Sequence, residues 1–160
     1  MGLSVIIRNY NEIHWDNNMP INVSWFDNDQ TIIIIDYVAP YLTTWDEYHE
    51  GINESVKLAE SVKHELVIIL IANGAKMPQG QALQHINQAI LRLPKNVLTA
   101  ISLMPQSSIH ERLILSVLRR VGFLQKRVSI ASSWEDAMNI VERFGISVSA
   151  QTRIARSHDR

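Results

Sequence analysis

The sequence predicts an α/β domain, a mixed sheet that opens with a β-hairpin and continues as alternating helices and strands. Three observations predict it. The runs Thr31–Asp36, Leu66–Ala72 and Val97–Leu103 are apolar with little alternation, as strands covered on both faces are. Between and after them, apolar residues recur at intervals of three and four behind Ser or Thr caps, which is the helical period. After the hairpin, strand and helix signals alternate strictly, the order that right-handed crossovers produce.

Residues 1–20 are polar and Asn-rich apart from Val5-Ile6-Ile7 and read as an irregular N-terminal arm. Ile21, Val23 and Trp25 then alternate with Asn22, Ser24 and Phe26, a strand. Asp27-Asn28-Asp29-Gln30 is a turn, and Thr31–Asp36 is the second arm of the hairpin. Thr44 and Glu47 have capping-box spacing, and Trp45, Tyr48, Ile52, Val56, Ala59 and Val62 form the stripe of a helix of roughly 18 residues. Leu66–Ala72 is the next strand. A Gly/Pro-containing loop follows and enters a helix with Leu83, Ile86, Ile90 and Leu93 on its stripe, stopped by Pro94. Val97–Leu103 is a strand ended by Pro105. Ser108 and Glu111 cap a helix through Leu113, Val117, Leu118 and Val121, with Gly122 at its C-terminus. Arg127–Ala131 is the last strand of the domain. Ser132 with Glu135, or Ser133 with Asp136, caps a final helix carrying Trp134, Ala137, Met138 and Val141, and Gly145 ends it. The α/β domain therefore spans residues 21–145. In the 146–160 extension, Ile146, Val148, Ala150 and Ile154 alternate with Ser147, Ser149, Gln151 and Arg153. This reads as an edge strand, with residues 146–154 a candidate homodimer contact and the last residues disordered.

Composition narrows the function classes. With 46% hydrophobic and 19% charged residues the chain is ordinary for a soluble globular protein. A net charge of -1 gives no field to attract nucleic acid or an anionic membrane. The absence of cysteine excludes disulfides, zinc thiolate sites and thiol catalysis. The start MGLSVIIRNYNEIHW is not a secretory signal, Ile6 stands where a myristoylation pattern wants Ser or Thr, and Leu66–Ala72 is too short to span a bilayer. A cytoplasmic protein is the expectation.

No catalytic or metal-binding pattern emerges. The six histidines, His14, His49, His64, His85, His110 and His158, include no H-E-x-x-H and read as surface or half-buried side chains, so no metal or cofactor is expected. Ser107 or Ser108, His110 and Asp36 lack the Gly-x-Ser-x-Gly elbow that a serine hydrolase would show. Gly74 and Gly80 flank Lys76 but do not make a phosphate loop, because Gln81-Ala82 follows where Lys-Ser/Thr belongs. Arg112, Arg119, Arg120, Lys126 and Arg127 read as a solvated basic face without interleaved aromatics. The expectation is a protein without enzymatic activity.

Three stretches carry a family likeness: VSWFDNDQTIIIIDY, LTTWDEYHEGINE and SSWEDAMNIV. With the element order over residues 21–143 they resemble the STAS-like fold of anti-sigma-factor antagonists and their uncharacterised bacterial single-domain relatives. The resemblance implies a regulatory module acting by protein–protein contact with an unknown partner. In the antagonists, the loop after the second parallel-type strand holds a phosphorylated Ser or Thr. The matching stretch, ANGAKMPQGQAL, has no Ser, Thr, Asp or Tyr, so that switch is not carried over. The candidate partner or ligand surface is this loop with its neighbours at the strand C-terminal edge: Tyr41, Trp45, Asn73, Gly74, Lys76, Met77, Gln79 and Gly80. Packing accounts for Trp45 as a large apolar ring, and exposure would make it a partner anchor. The alternative function is a small-ligand sensor or carrier with its pocket at the same edge.

Overall fold

The computed structural model describes residues 21–37, 44–71, 77–103 and 127–148, together with Leu113, Ser116, Val117 and Arg120. Strand β1 (Ile21–Trp25) pairs antiparallel with β2 (Ile32–Tyr37), the predicted hairpin. Helix α1 (Trp45–Glu60), β3 (Leu66–Ile71), α2 (Ala82–Arg92), β4 (Val97–Leu103), β5 (Val128–Ala131) and α3 (Trp134–Arg143) follow. The five strands lie in the order β1-β2-β3-β4-β5, with β2 to β5 all parallel. The predicted α/β class with its mixed sheet is the observed one.

Local chemistry explains the elements. At the hairpin turn the Asp27 carboxylate accepts from the Thr31 and Ile32 N–H groups and from the Thr31 hydroxyl at 2.6–3.2 Å. Those bonds hold Gln30 in the left-handed region at φ 57°. Both arms of the Thr44–Glu47 capping box form, and α1 runs for 16 residues. Of the two predicted caps for the last helix, Ser133 with Asp136 is the one used: Ser133 Oγ accepts from the Asp136 N–H. The Asp136 carboxylate in turn accepts from the Ser132 N–H.

Period-two alternation divides the core into two layers. Ile33, Ile35, Tyr37, Leu66 and Ile68 face α1 and α2, meeting Ile52, Ala59, Ala89 and Leu93. Ile32, Ile34, Val67, Ile69 and Ile101 face the other way, where Ala137, Met138, Ile140 and Val141 of α3 cover them. Every residue of β2 is buried, as its unbroken apolar run predicts.

Two expectations need correction, and a third falls mostly outside the described residues. Leu83, assigned to the stripe of α2, is 43% exposed, while Ala89 occupies the core. The four described residues of the segment after β4 are helical, as predicted, and share one face of the helix. That face is the outer one, because Leu113 and Val117 are exposed instead of packed, and Leu118 and Val121 lie outside the described residues. At the C-terminal end, residues 146–148 join no strand ladder. Their alternation nonetheless has a cause: Ile146 is buried in the α3 layer, Val148 packs against it, and Ser147 is exposed. The core thus continues past Gly145, and residues 149–160, like residues 1–20, lie outside the described set.

Candidate functional site

The predicted surface divides sharply in the structure. Tyr41, Asn73, Gly74 and Lys76 lie outside the described residues, as do Ser107, Ser108 and His110. Trp45, Met77, Gln79 and Gly80 are described and come together. Trp45 sits in the first turn of α1, placed by the Thr44 cap. Its indole Nε1–H donates to the carbonyls of Gly80 at 2.7 Å and Gln79 at 3.1 Å. The ring is half-buried beside Ile86, Ile90 and Val128, so Trp45 is a brace between α1 and the segment entering α2. Met77 packs on the same apolar group and Pro78 is buried, whereas Gln79, Gly80 and Gln81 are exposed.

The backbone of that segment is unusual. Gly80 has φ 80° and Gln81, the residue capping α2, has φ 47°. A non-glycine residue held there costs of order 1 kcal/mol, so the surroundings must enforce it. The Trp45 indole, bonded to the two preceding carbonyls, and the Gln84 and His85 N–H groups, which donate to the Gln81 carbonyl, hold the segment on both sides.

Beneath this segment lies a cluster that sequence reading left as separate surface histidines. His85, in the first turn of α2, stacks on Trp45 with ring centroids 4.7 Å apart and an 8° interplanar angle. His49 Nε2 lies 2.9 Å from His85 Nδ1, and His49 Nδ1 meets Arg92 Nη2. Arg92 also donates to Asn53 Oδ1 at 2.8 Å and to the Gln88 carbonyl at 3.3 Å. Partial burial, Arg92 and His85 hold the His49 pKa below its ordinary value, against the opposing pull of Asp46. Tyr48 packs between Trp45 and His49 and stacks on Tyr37, whose hydroxyl donates to the Tyr48 carbonyl at 2.7 Å. Burial pushes both phenols well above the usual tyrosine range. The signal for this cluster was present but faint: His49 and His85 each stand near the start of consecutive helices.

Asp36 is a second feature missed by the pattern reading. It stands near the C-terminal end of β2, between its register partners Asn22 and Ile71. Only 6% exposed, it has one carboxylate oxygen, Oδ1, with no hydrogen-bond partner among the described residues. Burial lifts its pKa from 3.8 to about 6.

Among the described residues, no group of three or more His, Asp or Glu side chains is placed to hold a metal ion, and no helix is long and apolar enough to cross a membrane. The chain matches no family model, no curated protein and no solved structure.

Proposed function

We propose that this chain is a non-enzymatic, STAS-like regulatory module of the bacterial cytoplasm. It acts by protein–protein contact through the segment at residues 77–81 and the first turn of α1. The observation that carries this reading is the strand order. In open α/β sheets, ligand crevices form where the strand order reverses and neighbouring helices splay to opposite faces. Here β2 to β5 follow one another without reversal, and α1 and α2 lie side by side on one face. That topology favours a continuous outer surface over a crevice. The Trp45 brace supports the location, because a segment held before binding loses less conformational freedom when a partner docks. The missing hydroxyl in ANGAKMPQGQAL leaves that segment without the phosphorylation switch of the antagonists.

The test is affinity capture from a native bacterial lysate with wild-type protein, Gln79→Arg and Lys76→Ala, each checked for unchanged thermal stability. Gln79 is exposed and suits the purpose, whereas Met77 is packed and would confuse folding with binding. Loss of a wild-type partner on Gln79→Arg supports the reading, and equal recovery with both variants overturns it.

A second reading, a small-ligand sensor or carrier, is favoured by one observation: the unpartnered Asp36 oxygen near the C-terminal end of β2. A ligand there would carry a cation or a hydrogen-bond donor. Native mass spectrometry showing a small molecule retained by the wild type and lost on Asp36→Asn would select this reading.

A further inference from the structure

Across the seam between α1 and α2, the order of donors and acceptors is fixed by chemistry. A guanidinium only donates, so His49 Nδ1 accepts from Arg92 Nη2. An imidazole with a bare Nδ1 carries its proton on Nε2 in the neutral state. That N–H donates across 2.9 Å to His85 Nδ1, which places the proton of neutral His85 on its own Nε2. Arg92 thereby sets the tautomer of two histidines in series. The chain ends on Trp45, stacked on His85 and bonded to the Gln79 and Gly80 carbonyls.

We propose that the Arg92–His49–His85 chain is an acid-sensitive latch on the contact surface at residues 79–81, closed while both imidazoles are neutral and opened by protonation of either. The proposal rests on the interaction reading above, because it regulates the same surface. A proton on His49 Nδ1 faces the Arg92 N–H, donor against donor and cation against cation. A proton on His85 Nδ1 faces the His49 N–H. His49 can accept from it only by moving its own proton to Nδ1, against Arg92. No protonated state keeps both bonds with Arg92 in place.

The neighbouring charges set the direction. From α1, Asp46 favours the cation, and the neutral Tyr48 ring packs 5.5 Å from His49. From α2, Arg92 and His85 favour the neutral form. Gln79, Gly80 and Gln81 bring no titratable side chain to the seam. His49 therefore titrates below its ordinary 6.5. A depressed histidine stabilises the closed form above the unfolded value, and that contribution is lost as pH falls through the folded value.

The experiment uses the full chain alone. Nitrogen-15 NMR of the imidazoles reads the tautomers at pH 7.5 and follows titration downward. Amide exchange at residues 79–85, corrected for intrinsic rates, is compared at pH 7.5 and after His49 has titrated. Both histidines are expected as Nε2–H tautomers at pH 7.5. Exchange at 79–85 is expected to rise about tenfold on acidification, the scale for loss of a hydrogen bond. The double variant His49→Gln/His85→Gln is expected to lose this pH dependence. An Nδ1–H tautomer for His49, or wild-type protection that stays constant through its titration, overturns the latch. Neither result bears on the interaction reading, which the capture at neutral pH tests separately.

Discussion

Replacing Asp36 by Asn removes one titrating group from the interior at nearly constant shape. The folded-state pKa is raised, from 3.8 to about 6, so the protonated acid is the form the fold prefers. A raised carboxyl pKa contributes stability that is complete below the unfolded value and is lost as pH rises through the folded one. At about 1.4 kcal/mol for each pH unit between the two values, the ionised carboxylate costs the native state about 2–3 kcal/mol at pH 8. Burial is the structural origin of that cost, and Oδ1, without a partner among the described residues, has no hydrogen bond there to offset its lost hydration. Asn stays neutral, so Asp36→Asn is expected to gain about 2–3 kcal/mol on the wild type between pH 4 and pH 8. Any packing cost of the amide adds a constant at all pH values and drops out of that comparison.

Urea unfolding of both proteins at pH 4, 5, 6, 7 and 8 measures this directly. All other titrations are common to the two chains and cancel in the difference. A stability difference that is flat from pH 4 to pH 8 would refute the assignment of Asp36 as a carboxyl whose burial disfavours its ionised form. A difference of opposite sign would mean that the ionised form finds a cationic partner in solution, the situation a bound ligand would create.

Three further outcomes follow from the packing. A Cβ on Gly51 would lie 2.6 Å from the Tyr37 hydroxyl oxygen and 2.9 Å from Ile35 Cγ2. Gly51→Ala should therefore destabilise by about 1–3 kcal/mol, despite a helix-propensity gain of about 1 kcal/mol. Adding Tyr37→Phe, which removes the nearest obstruction, should recover part of the loss in a urea double-mutant cycle, and a net stabilisation by the single change would be inconsistent with the contact. Trp45→Phe keeps an aromatic side chain but deletes the donor to Gln79 and Gly80 and part of the ring packed in this cluster, so a loss of about 1–3 kcal/mol and faster amide exchange at the entry of α2 are expected. Arg127 Nη2 donates to the carbonyls of Leu93, Pro94 and Val97 at 2.8–3.4 Å, pinning the turn between α2 and β4. Arg127→Met should lower stability by about 1–3 kcal/mol in thermal unfolding, and an unchanged midpoint would show the turn holds without it.

Features set by neighbours in sequence were legible, and features set across the fold were not. The Thr44–Glu47 box and the Ser133 cap are complete within four residues; the first forms as read, and the second is one of the two caps the sequence offers. The unbroken apolar run of β2 depends only on its being covered on both faces. By contrast, a helical period locates the centre of a stripe and not its margin. Leu83 lies at the margin of α2 and is exposed, and Leu113 with Val117 forms an apolar pair on the outer face of its helix. The histidine chain joins residues 36 and 43 positions apart, and no spacing rule reaches that far. Asp36 reads as a polar strand end, yet β2 lies between β1 and β3 and Asp36 is buried there.

The position of the candidate surface is itself a consequence of topology. Right-handed crossovers that step the same way along a sheet deliver successive helices to the same face, side by side. Each helix then begins at the C-terminal edge of the strand before it, so the first turns of α1 and α2 become neighbours. Trp45 can reach the entry of α2 only because of this arrangement, and His49 meets His85 for the same reason. A sheet whose order reversed between β2 and β3 would have sent α1 and α2 to opposite faces and opened a crevice where the brace now stands. Among the described residues, side chains in the first turns of α1 and α2 tie the two helices and the entering turn together at this edge. The outer surface of that turn, at Gln79, Gly80 and Gln81, is exposed beside this tie.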